Sequence, residues 1–208
     1  MGREILMATV NPHKTERFKH YLSECGLSVV NFTDVGRNID VVEDGKTPEE
    51  NALKKAIAGF NATKLPAFGV DYWFYIEGLP DEIQPGPHVR RIFIGKGGER
   101  KEATDEEMLD YYTGLIDKLG GRANGLWMSA IALVVAPEKV FTERFTSETL
   151  LIAQRSPKVT VGEPLNSIQI DPKSGKYFTD LTKGEWLRLQ KEREGGYVRF
   201  FESHLNEL

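Results

Sequence analysis

A regular succession of apolar and polar segments near the amino terminus constrains the fold more than any other feature of the sequence. Residues 5–10 form a short apolar run that is typical of a buried strand, and a polar turn ends it. Residues 15–25 carry apolar side chains at spacings of three and four, which predicts a helix with one apolar face. Residues 27–32 predict a second strand. A strand, a helix and a strand in this order favour an α/β domain.

The rest of the chain continues the alternation, so the fold class we predict is α/β, with a mixed central sheet flanked by helices. Further strands are expected over residues 38–42, 66–76, 88–94, 126–136 and 140–152, the last two forming a hairpin. Further helices are expected over residues 48–61, 105–119 and, with a break near Gly195 and Gly196, from residue 182 onward. Residues 95–98 predict a turn. No repeat or low-complexity linker divides the chain, which favours two closely joined lobes over independent domains.

Composition excludes several classes of function. The 208 residues include 27 Lys and Arg against 31 Asp and Glu, a net charge of -4, which argues against a broad basic face for nucleic acid or an anionic membrane. No apolar stretch reaches the length of a membrane-spanning helix. The single cysteine, Cys25, can form neither an intramolecular disulfide nor a zinc cluster. We therefore expect a cytoplasmic protein without a nucleic-acid or membrane partner.

Two polar segments lie where the pattern predicts the start of a helix. Thr9, Asn11 and Lys14 would place a hydroxyl, an amide and an ammonium beside the positive end of a helix dipole, which suits a phosphate. A solvated turn with a helix cap accounts for the same residues. In the second segment, Glu50 lies one helical turn from Lys54 and Lys55. Mg²⁺ and phosphate binding, or a capping box with surface ion pairs, both fit that spacing.

Asp71 is the third candidate because it interrupts an apolar, strand-like run. A carboxylate there is costly to bury unless it is paired or bound to a metal. It could equally lie at a strand end in water. In the functional interpretation, Asp71 orients or deprotonates a water molecule.

Together these segments resemble the inosine triphosphate pyrophosphatase (Ham1-like) family of nucleotide hydrolases. That family has Thr-x-Asn-x-x-Lys after its first strand, and residues 9–14 read Thr-Val-Asn-Pro-His-Lys. Its Glu-Glu-Asn-Ala-x-x-Lys-Ala helix is matched throughout by residues 49–56. Residues 115–136 look like its middle region, and Asp171-Pro172 followed by residues 175–181 resembles a later motif. Order and spacing agree over nearly the whole chain.

The resemblance implies a mixed α/β fold whose two lobes, within one domain over residues 1–208, enclose a nucleotide cleft. It implies a homodimer that uses Mg²⁺ to cleave nucleoside triphosphates between the α and β phosphates, giving a monophosphate and pyrophosphate. The substrates it implies are the deaminated purine nucleotides ITP and XTP and their deoxy forms.

The resemblance also assigns roles to individual residues. Those that would bind the phosphates are Thr9, Asn11, Lys14 and Lys55. Glu50 would be a ligand of Mg²⁺, and Asp71 would be a metal-site acid or the base that orients the attacking water. Asp171 would lie near the sugar and base.

The sequence departs from the family at two places, which leaves an alternative open. Aromatic residues follow Asp71 where the family has small ones, and the carboxy-terminal Ser-His-Arg that reads the base is missing. Arg188, Lys191 or Arg193 are the candidates to replace it. The alternative is a nucleotide-binding paralogue with altered base specificity and weakened or no turnover. A third interpretation, a partner surface formed by residues 72–75, is better explained by a strand buried on both faces.

Overall fold

The computed structural model describes residues 2–95 and 100–208, apart from the side chains of His13 and Ile94. The α-helices in this part of the chain are α1 (Pro12–Ser23), α2 (Pro48–Thr63), α3 (Asp105–Lys118) and α4 (Lys183–His204). The strands are β1 (Arg3–Met7), β2 (Leu27–Asn31), β3 (Ala67–Ile76), β4 (Phe93–Ile94), β5 (Arg100–Lys101), β6 (Arg122–Ala136), β7 (Lys139–Ile152) and β8 (Gln169–Ile170). Short 3₁₀ turns span Asp81–Ile83, Pro164–Ser167 and Phe178–Asp180.

Six of these strands form one mixed sheet in the order β2-β1-β3-β6-β7-β8. Strand β1 pairs in parallel with β2 and β3, whereas β7 and β8 are antiparallel. Strands β4 and β5 form a separate antiparallel pair. The parallel β1-α1-β2 opening and the β6–β7 hairpin agree with the sequence patterns. The predicted α/β class with a mixed central sheet is confirmed.

Local capping explains where the first helices begin. Helix α1 starts at Pro12, earlier than the predicted residue 15, because the Asn11 side chain accepts a hydrogen bond from the Lys14 N–H at 3.2 Å. Thr47 caps α2 in the same way through the N–H of Glu50, also at 3.2 Å. In both helices proline occupies the first turn, where its missing N–H costs nothing.

The chain divides into two compact units, each with its own apolar core. Unit 1 comprises Met1–Tyr72, Ser129–Phe145 and Glu194–Leu208, and unit 2 comprises Trp73–Met128 and Thr146–Arg193. The main cluster of unit 1 contains Ile5, Phe18, Phe68, Ile131, Tyr197, Phe200 and Phe201. The main cluster of unit 2 contains Phe74, Ile76, Met108, Tyr112, Ile116, Leu151 and Ile168.

Some local predictions were wrong. Residues 38–42 form no strand, and of residues 88–94 only Phe93–Ile94 are in one. The turn predicted over residues 95–98 lies largely outside the described residues. Helix α4 continues through Gly195 and Gly196 without the predicted break. A Cβ on Gly196 would lie 2.4 Å from Cδ1 of Phe145, so this glycine permits close packing and does not end the helix.

Within the described residues, no helix combines the length and apolarity needed to cross a bilayer.

The two adjacent glycines of α4 provide a matched test of this packing. We expect Gly196→Ala to lower the free energy of unfolding by about 1–3 kcal/mol, because the new methyl group overlaps the Phe145 ring. Gly195→Ala should leave stability unchanged or raise it by up to about 1 kcal/mol, since alanine favours helix and its nearest neighbour atom is 3.5 Å away. Urea unfolding of both variants checks this, and equal effects would contradict the packing role of Gly196.

Candidate functional site

The loop between β1 and α1 is held together by its own polar side chains. The Thr9 hydroxyl oxygen accepts a hydrogen bond from the Asn11 N–H at 3.1 Å, and Asn11 Oδ1 caps α1. The helix-cap interpretation of these residues therefore describes their local role correctly. Each side chain retains donors, the O–H of Thr9 and the amide N–H₂ of Asn11. The capped turn places Lys14 in the first turn of α1, beside this loop.

Helix α2 approaches β3 closely at Gly69. A Cβ on Gly69 would lie 2.2 Å from the carbonyl oxygen of Ala52, so any larger residue would force the two elements apart. The short approach brings Asn51 and Lys55 to Asp71. The Asn51 amide donates to Asp71 Oδ2 at 3.2 Å, and its own oxygen accepts from the Gly45 N–H at 2.8 Å.

Lys55 is the centre of a cluster of three charged side chains, two of which are buried. Its Nζ lies 2.8 Å from Asp71 Oδ1 and 2.9 Å from Glu43 Oε2. Lys55 and Asp71 are both buried, and the Lys55 ammonium also donates to the carbonyl of Val70 at 3.4 Å. Glu43 is exposed, with 36% of its side chain accessible. Burying the charge of Lys55 or Asp71 alone would be strongly unfavourable, so these two groups depend on each other.

A pocket of about 140 Å³ lies against this cluster in unit 1. Its polar lining is formed by Thr9, Lys14, Asp40, Glu43 and Lys55. Burial lowers the pKa of the Lys14 ammonium, and the charges of Lys55 and Arg17 lower it further, while Glu43 and Asp71 oppose them. An incoming anion would relieve the repulsion among these cations.

The structure thus brings most of the predicted residues of unit 1 together. Thr9, Lys14 and Lys55 line the pocket, and Asp71 is bonded to Lys55. Of the two lysines left open by helical spacing, Lys55 faces the pocket, whereas Lys54 pairs with the exposed Asp44.

Asn11 and Glu50 are placed differently. Asn11 is exposed and outside the pocket lining, in the loop that carries Thr9. Glu50 is also exposed, and one of its carboxylate oxygens accepts from the Lys46 N–H at 2.8 Å.

Sequence reasoning missed Asp40 and Glu43. Both line the pocket from the irregular segment before α2, part of which was predicted to be a strand. A run of acids interrupted by valines has no helical or strand period. The acidic character of residues 40–44 was the one signal available.

Asp171 belongs to unit 2 and is buried. Its Oδ2 accepts from the Ser174 hydroxyl at 2.7 Å and pairs with Arg188 Nη2 at 2.5 Å. Burial alone raises the pKa of the Asp171 carboxyl. The hydrogen bonds from Ser174, from the Lys173 N–H and from Arg188 outweigh burial and hold this pKa below its ordinary value.

The candidate base readers have neighbours within unit 2. Besides Asp171, Arg188 pairs with Glu192 at 3.1 Å. Arg193 donates from Nε to Ser147 at 3.1 Å and lies over the Phe178 ring, 5.5 Å from its centroid. Lys191 is exposed. None of these contacts distinguishes a base-reading residue among the three.

The carboxylates of the site fit a magnesium ion that arrives with a polyphosphate. No group of three or more His, Cys, Asp or Glu side chains within the described residues could hold a metal ion. Mg²⁺, however, is commonly held by one or two carboxylates together with water and phosphate oxygens. Glu43 and Asp71 meet that requirement, because both contact the same ammonium of Lys55.

These features define an α/β protein with a charged pocket, to which α1 contributes Lys14, α2 contributes Lys55, and the segment before α2 contributes Asp40 and Glu43. The sequence profile of the Ham1 family matches residues 5–158, about three quarters of the chain. The chain belongs to the Ham1 family, and the resemblance inferred from its motifs is confirmed. Asp171 and α4 lie beyond the matched residues.

Curated relatives extend the similarity along the chain. A dITP/XTP pyrophosphatase of Clostridium tetani is 31% identical over 141 residues, which are 66% of this chain and 66% of that protein. One from Syntrophobacter fumaroxidans is 29% identical over 89% of this chain and 75% of its own length. One from Thermus thermophilus is 27% identical over 90% of this chain and 85% of its own length.

Solved structures agree on the fold. The Ham1 protein of Staphylococcus aureus superposes with a TM-score of 0.73 at 21% identity, covering 99% of both chains. The HAM1 protein of Coxiella burnetii gives a TM-score of 0.76 at 21% identity, covering 99% of this chain and 100% of that one. At this level of identity the comparison supports the fold alone.

The depressed pKa of Asp171 predicts how stability depends on pH. Because the folded value lies below the unfolded value of roughly 4, the ionised form stabilises the fold above about pH 4 and this contribution is lost as pH falls. We expect Asp171→Asn to cost about 1–3 kcal/mol of unfolding free energy near pH 7, with the deficit shrinking towards about pH 3. Urea unfolding at both pH values measures it.

Asp180→Asn is the matched control, since Asp180 makes a more exposed ion pair with Lys158. It should cost no more than about 1 kcal/mol. A pH-independent deficit for Asp171→Asn would show that the ionised form of Asp171 is not what stabilises unit 2.

Proposed function

We propose that the protein is a nucleoside triphosphate pyrophosphohydrolase that produces a nucleoside monophosphate and pyrophosphate. The observation that carries this proposal is the pocket of unit 1, in which Lys14, Lys55 and Thr9 face the same space as two carboxylates. The names of its relatives support non-standard purine nucleotides, ITP and XTP with their deoxy forms, as substrates.

The positive groups of the pocket would bind and polarise the triphosphate. Lys14 and Lys55 supply two charges that offset the negative charge of the phosphates as it redistributes during cleavage. The Thr9 O–H and the Asn11 amide remain available as donors to phosphate oxygens after capping the turn. These donors are fixed before the ligand arrives, so little reorganisation accompanies binding.

Asp71 is the proposed general base. Donors on Lys55 and Asn51 hold its two oxygens in a defined orientation. When phosphate draws Lys55 away, one carboxylate oxygen becomes available to orient a water molecule and accept its proton.

The pairing of both Asp71 oxygens, with Lys55 and Asn51, also favours a second candidate function. It is a nucleotide-binding paralogue in which Lys55 does not leave Asp71, so that turnover is weak or absent.

Mg²⁺ is the proposed cofactor. Asp71 and Glu50 would hold it according to the family resemblance, and Glu43 is added because it contacts the same ammonium as Asp71. When bound, the ion supplies charge neutralisation at the phosphates and lowers the pKa of a bound water. The chain contributes Glu43, Lys14 and Lys55 to the pocket lining and pairs Asp71 with Lys55.

Three further proposals rest on the family resemblance. They are a homodimer, one domain of two lobes over residues 1–208, and a place for Asp171 near the sugar and base of the bound nucleotide. The proposed cytoplasmic location rests on composition and on the single cysteine.

Adjacent lysines on α2 provide a matched test of the proposed chemistry. We expect Lys55→Met to lower kcat/KM for pyrophosphate release from ITP or XTP by about 10²–10³-fold, because it removes a pre-oriented charge from the pocket. Lys54→Met should change it less than about twofold, since Lys54 pairs with the exposed Asp44. The assay covers ITP, XTP, GTP, ATP and the pyrimidine triphosphates.

Absence of pyrophosphate release across that panel, with nucleotide binding retained, would favour the inactive paralogue. Turnover of another triphosphate would keep the reaction and change the assigned base. Equal effects of the Lys55 and Lys54 substitutions would contradict the proposal that the phosphates bind in this pocket.

Removal of the metal tests whether pyrophosphate release requires Mg²⁺. We expect a chelator to abolish pyrophosphate release and added Mg²⁺ to restore it, because a bound Mg²⁺ would neutralise charge on the phosphates during cleavage. Asp71→Asn should reduce kcat by at least about 100-fold at saturating Mg²⁺, through loss of the general base. Activity that survives chelation would contradict the metal assignment. Unchanged kcat in Asp71→Asn would contradict the assignment of the base.

A further inference from the structure

Lys14 lies among other positive charges at the pocket and lacks a direct ion-pair partner among the described residues. Lys14 is partly buried and near both Lys55 and Arg17, and these influences lower its pKa. Lys55 has two carboxylate partners. Lys14 Nζ makes no hydrogen bond or ion pair with the described part of the chain. Its long, flexible side chain is therefore held at the pocket by something other than a direct ion pair.

The ring of Tyr72 lies where it can do this. Lys14 Nζ is 5.4 Å from the centroid of the Tyr72 ring, within the range of a cation–π interaction. The Arg17 guanidinium lies 5.7 Å from the same centroid, and its Nη2 donates to the Tyr72 hydroxyl at 2.8 Å. Tyr72 directly follows Asp71 on β3, so its ring is fixed by the strand that carries the proposed base.

Arg17 is itself anchored from α4. Its Nη1 pairs with Glu194 Oε1 at 3.3 Å, and the Tyr21 hydroxyl donates to the other oxygen of Glu194. Burial raises the pKa of Glu194, and the charge of Arg17 opposes this shift. The chain of contacts thus runs from Glu194 through Arg17 to Tyr72 and ends at Lys14, all within unit 1.

We propose that Tyr72 is a positioning residue that holds the Lys14 ammonium at the pocket for polyphosphate. A carboxylate in its place would neutralise Lys14 and compete with the incoming phosphate. An aromatic ring attracts the ammonium without carrying net charge, so Lys14 stays oriented and its full charge remains for the ligand. This inference rests on the proposed function, because it takes Lys14 as a phosphate-binding residue.

A purely structural role of Tyr72 is the competing explanation. Its side chain also packs against the apolar core of unit 1, so a substitution can disturb the fold without any effect through Lys14. The test must therefore detect coupling between the two side chains. A double-mutant cycle does so, because it cancels effects that each substitution has on its own.

The experiment measures binding of inorganic tripolyphosphate by calorimetry. We expect Tyr72→Leu to weaken binding about tenfold, or about 1.4 kcal/mol, and Tyr72→Phe, which keeps the ring, to stay within about threefold of the original protein. In a Lys14→Met background, Tyr72→Leu should cause no further loss. Thermal unfolding and near-ultraviolet circular dichroism check the fold. If Tyr72→Leu does not fold, Tyr72→Met replaces it.

Phe60→Leu is the matched control. Phe60 forms a comparable pair with Lys64, whose Nζ lies 5.8 Å from its ring centroid, but neither residue lines the pocket. This variant should bind tripolyphosphate like the original protein.

Parallel assays separate this inference from the proposed function. Equal binding by Tyr72→Leu and the original protein, or an undiminished loss in the Lys14→Met background, overturns the positioning role even if triphosphates are hydrolysed. Coupled loss of binding without pyrophosphate release from any nucleotide supports the positioning role and overturns the proposed reaction. No binding of tripolyphosphate by the original protein overturns the positioning role. If turnover occurs, we expect Tyr72→Leu to raise KM about tenfold and change kcat less than about threefold.

Discussion

The contact between α2 and β3 at Gly69 is the constraint on which the pocket depends. A single Cβ at this position would lie 2.2 Å from a backbone oxygen of α2. A larger residue would therefore push helix and strand apart, and their close approach lets Lys55 reach Asp71. Charges at such a depth are tolerated only as a set, because each one left alone would carry a large desolvation cost. The packing of α2 on β3 therefore determines whether the charged groups of the site can form.

Features set by neighbouring residues were predictable from the sequence. Thr47 followed by Pro48 marks the start of α2, whereas the start of α1 was predicted three residues late because Asn11 was not identified as its cap. The family resemblance assigned Lys55 and Asp71 to one site. The structure brings them into an ion pair although they are 16 residues apart in sequence. The α/β class followed from the order of elements, because a buried parallel pair needs a helix between its strands.

The features that escaped prediction depend on long-range contacts. Gly196 reads as a helix breaker in isolation, and its role appears only when Phe145 is placed against it. Glu43 lies in irregular chain, where no period relates sequence to direction, and it is recruited by Lys55. The link between Arg17 and Glu194 joins the two ends of the sequence. Local propensity and hydrophobic pattern predict the secondary structure of a segment. The roles of Gly196, Glu43 and Arg17 depend on tertiary contacts with residues distant in sequence.

The ion cluster of Lys55 has a consequence for the end of the proposed reaction. With Glu43 and Asp71 as partners, Lys55 already contacts two carboxylates before any ligand arrives. A ligand must outcompete two carboxylates to recruit it, which a triphosphate chain with several charges can do and a single phosphate group does far less well. If the proposed reaction takes place, the nucleoside monophosphate meets a lysine that has returned to its internal partners. We then expect weak product inhibition by the monophosphate, because the triphosphate can recruit Lys55 and the monophosphate cannot hold it.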